Sequence, residues 1–194
     1  MHNKKVTALV PMKGNSERVP NKNIRLLNGK PVCHWILEAL SRSKYIDEII
    51  INTDSDKIKK IVSDFKLVKV IDRPDYLFGD AVSIQPLIAH DIEYAQNEII
   101  LQTHSTNPLL KTETIDKAIE IYFKNIKEND ALFSVTPLQQ RFYFKNGKAV
   151  GHDPNNLIQT QLLEPIYHEN SCMYIFSRET NRKIQNRLGN NPFL

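Results

Sequence analysis

Residues 12–23 read Met-Lys-Gly-Asn-Ser-Glu-Arg-Val-Pro-Asn-Lys-Asn. Three cations, Lys13, Arg18 and Lys22, share this stretch with Gly14 and with the small polar residues Asn15, Ser16 and Asn23. Such a set suits a polyphosphate: lysine supplies a point charge, arginine a planar fork, and glycine lets backbone N–H groups approach an anion. The spacing matches neither the Walker A loop nor the Gly-x-Gly-x-x-Gly pattern of dinucleotide sites. A solvated surface loop with coincidental lysines is the competing reading.

The charge distribution points to the same stretch. The 194-residue chain carries a formal charge of +4. Residues 1–30 hold seven Lys or Arg and one acid, a local charge of +6, so the remainder sums to −2. A basic excess confined to one segment argues for a small anionic ligand rather than nucleic acid or a membrane surface. With 41% hydrophobic and 25% charged residues, the composition is that of an ordinary globular protein and excludes disordered, collagenous and disulfide-scaffold classes. No apolar run approaches the ~18 residues of a transmembrane helix, and the run at 6–10 is too short for a signal sequence. Cys33 and Cys172 have no zinc or redox spacing and read as buried thiols of a reducing cytoplasm. The six histidines likewise show no metal-ligand spacing.

Positioning the loop requires a scaffold, and the pattern supplies one. Short apolar runs at 6–10, 49–51, 68–71, 99–101 and 131–135 read as strands. Between them, apolar residues at 3–4 spacing mark helices over 32–40, 55–65, 84–95 and 112–126, with Asp54 or Ser55 and Thr112 as caps. This alternation predicts an α/β fold, a mostly parallel doubly wound sheet with helices on both faces. Asn28-Gly29 is a turn signal. After residue 136 the pattern changes: 142–150 reads as a β-hairpin around Asn146-Gly147, 151–169 is irregular, and 172–176 is a strand returning to the sheet. The expectation is one α/β domain over 1–194 with an arm at 137–169. In such sheets ligands bind at the carboxyl ends of the strands, where the 12–23 loop falls.

The sequence from Lys13 through Pro20, Lys22, Asn23 and Ile24 resembles the signature of the acylneuraminate cytidylyltransferase family, whose members make CMP-activated sugar acids from CTP. The likeness continues in order through Asn52-Thr53-Asp54, Arg73-Pro74, Asp80-Ala81-Val82-Ser83, Leu101-Gln102, Asn107-Pro108-Leu109 and Asn170-Ser171-Cys172-Met173-Tyr174. It implies a Rossmann-like fold akin to the nucleotide-diphospho-sugar transferases, in which the arm dimerises the protein. It also implies a cytoplasmic homodimer that transfers CMP from CTP to a sialic-acid-like sugar acid and releases pyrophosphate, with Mg²⁺ as cofactor.

Roles carried by the resemblance follow residue by residue. Lys22, Lys13 and Arg18 stabilise charge on the triphosphate. Gly14, Asn15 and Ser16 shape the loop, while Asn23, Arg73 and Ser83 contact the cytidine. Gln102, Asn170, Tyr174 and Phe193 face the sugar, and Arg141 is the arm cation for its carboxylate. Metal carboxylates are not among these residues; the family's acidic Asp-x-Asp element is expected beyond residue 194, making the chain truncated or incomplete. Three departures stand out: Lys13 replaces the usual Arg, Glu17 a usual Lys, and the Gln102 loop is longer than the family's and lacks its Arg. Two alternatives stay open on the residues alone, another nucleotide-sugar enzyme such as a glycosyltransferase, and a catalytically impaired nucleotide-binding dimer.

Overall fold

Near-continuous burial along the central strands decides the architecture. The computed structural model describes residues 4–16, 19–79 and 81–194, and these form eleven strands and five α-helices. In order they are β1 (Val6–Leu9), β2 (Leu26–Leu27), β3 (Lys30–Pro31), α1 (Val32–Ser41), β4 (Ile46–Thr53), α2 (Asp56–Val62), β5 (Val68–Asp72), α3 (Ile84–Asp91), β6 (Ile99–Thr103), α4 (Thr112–Asn125), β7 (Ala131–Leu138), β8 (Phe142–Tyr143), β9 (Ala149–Val150), β10 (Ile166–Ser177), α5 (Arg178–Ile184) and β11 (Pro192–Phe193). The main sheet runs β11-β7-β10-β6-β1-β4-β5.

β1 pairs in parallel with both β4 and β6, and β4 with β5. β10 enters antiparallel beside β6, with Tyr174 opposite Gln102. Strand residues alternate between two cores, as the period of two demands. Ala8, Ile49, Ile51, Leu101 and Ile175 pack with the apolar stripes of α1, α2 and α4. Leu9, Ile50, Ile100, Tyr174 and Phe176 pack on the other side with Ile88 of α3. A sheet buried on both faces needs near-continuous apolar strands, which explains why Ile49-Ile50-Ile51 and Ile99-Ile100-Leu101 are unbroken runs.

Local signals behave as expected in most places. Ser55 caps α2, its hydroxyl accepting from Ile58 N at 3.4 Å. Asn28 and Gly29 adopt positive φ and turn β2 into β3. Thr112 does not cap α4: Lys111 holds that position, and the Thr112 hydroxyl donates to Ala39 O at 2.8 Å.

Residues Ser134–Ser171 form a second compact unit, and the expected arm, 137–169, lies inside it. β7 and β10 run into it, and β8 and β9 form its antiparallel hairpin around Gly147 at φ 82°. Arg141 donates to Ile158 O at 2.5 Å and to Thr160 Oγ1 at 3.4 Å. Asn170 accepts from Ser134 Oγ and donates to Thr136 Oγ1. β10 starts at Ile166, earlier than the expected 172; exposed Tyr167, His168 and Glu169 give the sequence no apolar alternation to mark that start.

Candidate functional site

The order β6-β1-β4 reverses direction at β1, since the chain fills one side of the sheet through β5 before crossing to β6. That switch point opens a crevice at the strands' carboxyl ends. A cleft of about 200 Å³ lies there. The segment after β1 contributes Lys13, Lys22 and Asn23, the end of β5 contributes Arg73, the entry to α3 contributes Val82 and Ser83, and the segment after β6 contributes His104, Ser105 and Thr106. Elements far apart in sequence thus bring five of the expected residues, Lys13, Lys22, Asn23, Arg73 and Ser83, to one cavity.

The bonds around the cleft fix several of these residues. Asn23 is buried and ties the two loops together, donating to Lys13 O at 2.7 Å and accepting from Ser105 Oγ at 2.6 Å. Lys22 follows a tight turn in which Asn21 takes φ 54° and its carbonyl accepts from Ile24 N and Arg25 N. Arg73 is 9% exposed. Its Nε donates to Asn52 Oδ1 at 2.8 Å and its Nη2 to Asn52 O at 3.1 Å, so it is anchored to the end of β4 rather than to Asp72 or Asp75. Asn52 in turn donates to Asp91 Oδ1 at 2.6 Å. Burial pushes the Asp91 carboxyl up to about 6 against the pull of His90, Asn52 and Arg73. Ser83 precedes α3 without a side-chain capping bond of its own.

The other expected residues are not part of the described lining of the cleft. Gly14 packs against the turn after β4: its N–H donates to Asp54 Oδ1 at 2.6 Å, and a Cβ there would come 2.7 Å from Ser55 Cβ. Asn15 is exposed and Ser16 buried, and neither lines the cleft. Arg18 lies outside the described residues, as does Glu17. Phe193 pairs with Leu132 in the sheet and packs on the core. Arg141 and Asn170 belong to the second unit. Gln102 and Tyr174 are wholly enclosed, with Arg187 lying over the Tyr174 ring at 3.6 Å and donating to Gln102 Oε1 at 2.6 Å.

Asn52, Asp91 and Arg187 received no role from the sequence. Asn52 stands in a motif that signalled only likeness, Asp91 ends an amphipathic helix, and Arg187 follows α5 in a stretch without periodicity. Cys33 is buried, which pushes its thiol up to about 11, whereas Cys172 is half-buried beside Pro108 and Leu110. Among the described residues no His, Cys, Asp and Glu cluster could hold a metal ion, and no carboxylate lines the cleft.

His104 is held neutral. Burial, then the charges of Arg187 and Lys22, push its imidazole down to about 4. The unfolded chain binds this proton near pH 6.5, so the contribution to stability is present above that pH and is lost as pH falls towards 4. Replacing His104 with Gln is expected to remove about 3 kcal/mol of acid sensitivity between pH 7 and 4. Asp91 acts with opposite sign over nearly the same window. Urea unfolding of the variant beside the parent at both pH values isolates the His104 effect.

The sheet order, the two buried faces and a basic cleft at the switch point define a Rossmann-like α/β protein. A family model described as Cytidylyltransferase matches residues 7–192, and the chain belongs to that family, one of nucleotidyltransferases. It is 27% identical over 188 residues to the N-acylneuraminate cytidylyltransferase of Streptococcus agalactiae, covering 91% of this chain and 44% of that protein. It is 26% identical over 177 residues to the pseudaminic acid cytidylyltransferase of Campylobacter jejuni, covering 86% and 75%. The chain thus spans less than half of the streptococcal relative and three quarters of the Campylobacter one. Among solved structures, CMP:2-keto-3-deoxy-manno-octonic acid synthetase complexed with CTP matches its fold with a TM-score of 0.70 at 14% identity, over 93% of this chain and 78% of that one. Among the described residues no helix is long and apolar enough to cross a membrane.

Proposed function

We propose that the protein transfers a cytidylyl group from CTP to the anomeric hydroxyl of a sialic-acid-like sugar acid. The hydroxyl oxygen forms a bond to the α-phosphorus as the bond to the pyrophosphate oxygen breaks, and the hydroxyl proton leaves to solvent. The observation carrying this reading is the convergence of Lys13, Lys22 and Arg73 with Asn23 and Ser83 on one cleft. The names of the two relatives, each a cytidylyltransferase of a sugar acid, support the substrate class.

In this reading Lys22 and Lys13, with Arg18, neutralise charge developing on the departing pyrophosphate. Positioning and charge stabilisation dominate catalysis in transfers at phosphorus, where little covalent chemistry is left to the protein. Arg73, Asn23 and Ser83 hold the cytidine, and Gly14 lets the loop close on the Asp54 turn. Gln102, Tyr174, Asn170, Arg141 and Phe193 belong on the sugar side. Mg²⁺ enters through the resemblance alone, and no step is assigned to it. The proposal extends to a cytoplasmic homodimer built through the 137–169 arm, making a CMP-sugar for surface glycans.

Calorimetric titration with CTP, UTP, ATP and GTP tests the nucleotide half. Saturable binding of CTP in preference to the other three is expected. Equal affinity for all four, or none for CTP, overturns the reading.

A further inference from the structure

The end of the sheet beside the cleft presents a guanidinium where the resemblance places an amide and a phenol. Gln102 and Tyr174 are fully enclosed, and Arg187 lies over both: its guanidinium stacks 3.6 Å from the Tyr174 ring centre and its Nη1 donates to Gln102 Oε1 at 2.6 Å. The Gln102 amide is oriented for this by its own bond from Nε2 to Thr103 O at 2.8 Å. Tyr174 is backed in turn by Phe133, ring centres 6.1 Å apart.

The backbone carrying Arg187 is equally fixed. Asn186 Oδ1 accepts from Leu188 N and Gly189 N, and Asn186 O accepts from buried Asn181 Nδ2. Gly189 sits at φ 74° against Asp130, whose carboxylate accepts from Asn190 N and Asn191 N. A half-buried arginine stacked on an aromatic ring and held by a turn of this kind is preorganised for planar recognition of an anion. It is also close to the chemistry. His104, two residues beyond Gln102, lines the cleft, and Arg187 and Lys22 are the two cations whose charge acts on its imidazole.

We propose that Arg187 is the residue that selects an acid as second substrate, its fork taking the carboxylate of the sugar acid while Gln102 and Tyr174 position it from behind. This rests on the reading of the chain as a cytidylyltransferase of sugar acids. Carboxylate and guanidinium are matched in geometry as well as in charge. Arg141, which the resemblance assigns to this carboxylate, donates to Ile158 O and Thr160 Oγ1 within its own unit.

The test is steady-state pyrophosphate release by the parent, Arg187→Met, Arg187→Lys and Arg141→Met, with a sugar acid and with its methyl ester. Loss of charge-assisted hydrogen bonds predicts that Arg187→Met raises KM for the acid by about 10–100-fold, with KM for CTP nearly unchanged. Arg187→Lys falls between, and the parent's preference for acid over ester disappears in Arg187→Met. An unchanged acid-over-ester preference in Arg187→Met overturns the assignment, as does a parallel rise in KM for CTP. So does loss of that preference in Arg141→Met instead. A parent that releases no pyrophosphate with any sugar acid overturns the underlying reading, and this assignment with it.

Discussion

Replacing Lys22 with alanine is expected to lower pyrophosphate release from CTP and sugar acid by about 10²–10³-fold, the usual effect of deleting one preorganised charge-stabilising donor. The size of the effect follows from placement. Lys22 lines the cleft with Lys13 and Arg73, so three cations are gathered on one cavity. Its backbone is fixed by the Asn21 turn, with Lys22 N donating to Val19 O at 3.2 Å, and by the Asn23 clamp between the two loops. An ammonium on a backbone held this way needs little reorganisation when charge develops on the leaving group. Lys22→Arg keeps the charge on a bulkier head and is expected to recover part of the rate. Because Lys22 is not enclosed in the core, thermal unfolding of the alanine variant should match the parent. A coincident loss of stability and rate would point to a structural role instead.

The second large effect is expected at Asn52, which has no substrate contact in the proposed reaction. Its amide links Arg73 to Asp91: Oδ1 accepts from Arg73 Nε, and Nδ2 donates to Asp91 Oδ1. All three side chains are at most 9% exposed. Asn52→Leu leaves a guanidinium N–H and a buried carboxylate oxygen without these partners, and Asp91 Oδ2 already has none. Hydrogen bonds to charged groups contribute about 1.5–3 kcal/mol, so a loss of roughly 3 kcal/mol is expected, or about 6–12 °C in Tm for a chain of this size. Arg73 also loses its aim at the cleft, so weaker CTP binding should accompany the lower Tm. The exchange Asn52→Asp with Asp91→Asn restores an acceptor to Arg73 and a donor–acceptor match between the pair. It is expected to recover part of both losses, whereas either half alone is not. Absence of recovery in the double variant would show that packing, not the relay, sets the cost.

The sheet was legible because its strands are buried on two faces. Unbroken runs such as Ile49-Ile50-Ile51 leave little choice of element, and the 3–4 spacing in α1 and α4 gives the helices that cover them. The cleft was legible as far as it depends on one loop: Lys13, Lys22 and Asn23, singled out in the 12–23 stretch, line it together. What the sequence could not convey is convergence. Arg73 depends on Asn52 and Asp91, brought to it from the end of β4 and from α3, and no local pattern records those contacts. Gln102 and Tyr174 carry the right motif, but their enclosure beneath Arg187 follows from how the turn after α5 folds back. β11 and the early start of β10 escaped for a related reason, since neither stretch carries an apolar alternation.

Cytidylyl transfer is itself open to a direct assay of its products. The chain is incubated with CTP and a panel of nonulosonic and octulosonic acids, and the products are resolved by mass. For at least one acid, a CMP-sugar and pyrophosphate are expected in equal amounts, with no UMP-sugar or AMP-sugar when UTP or ATP replaces CTP. CTP binding without a CMP-sugar from any acid, or transfer from every nucleotide alike, would contradict the proposed reaction.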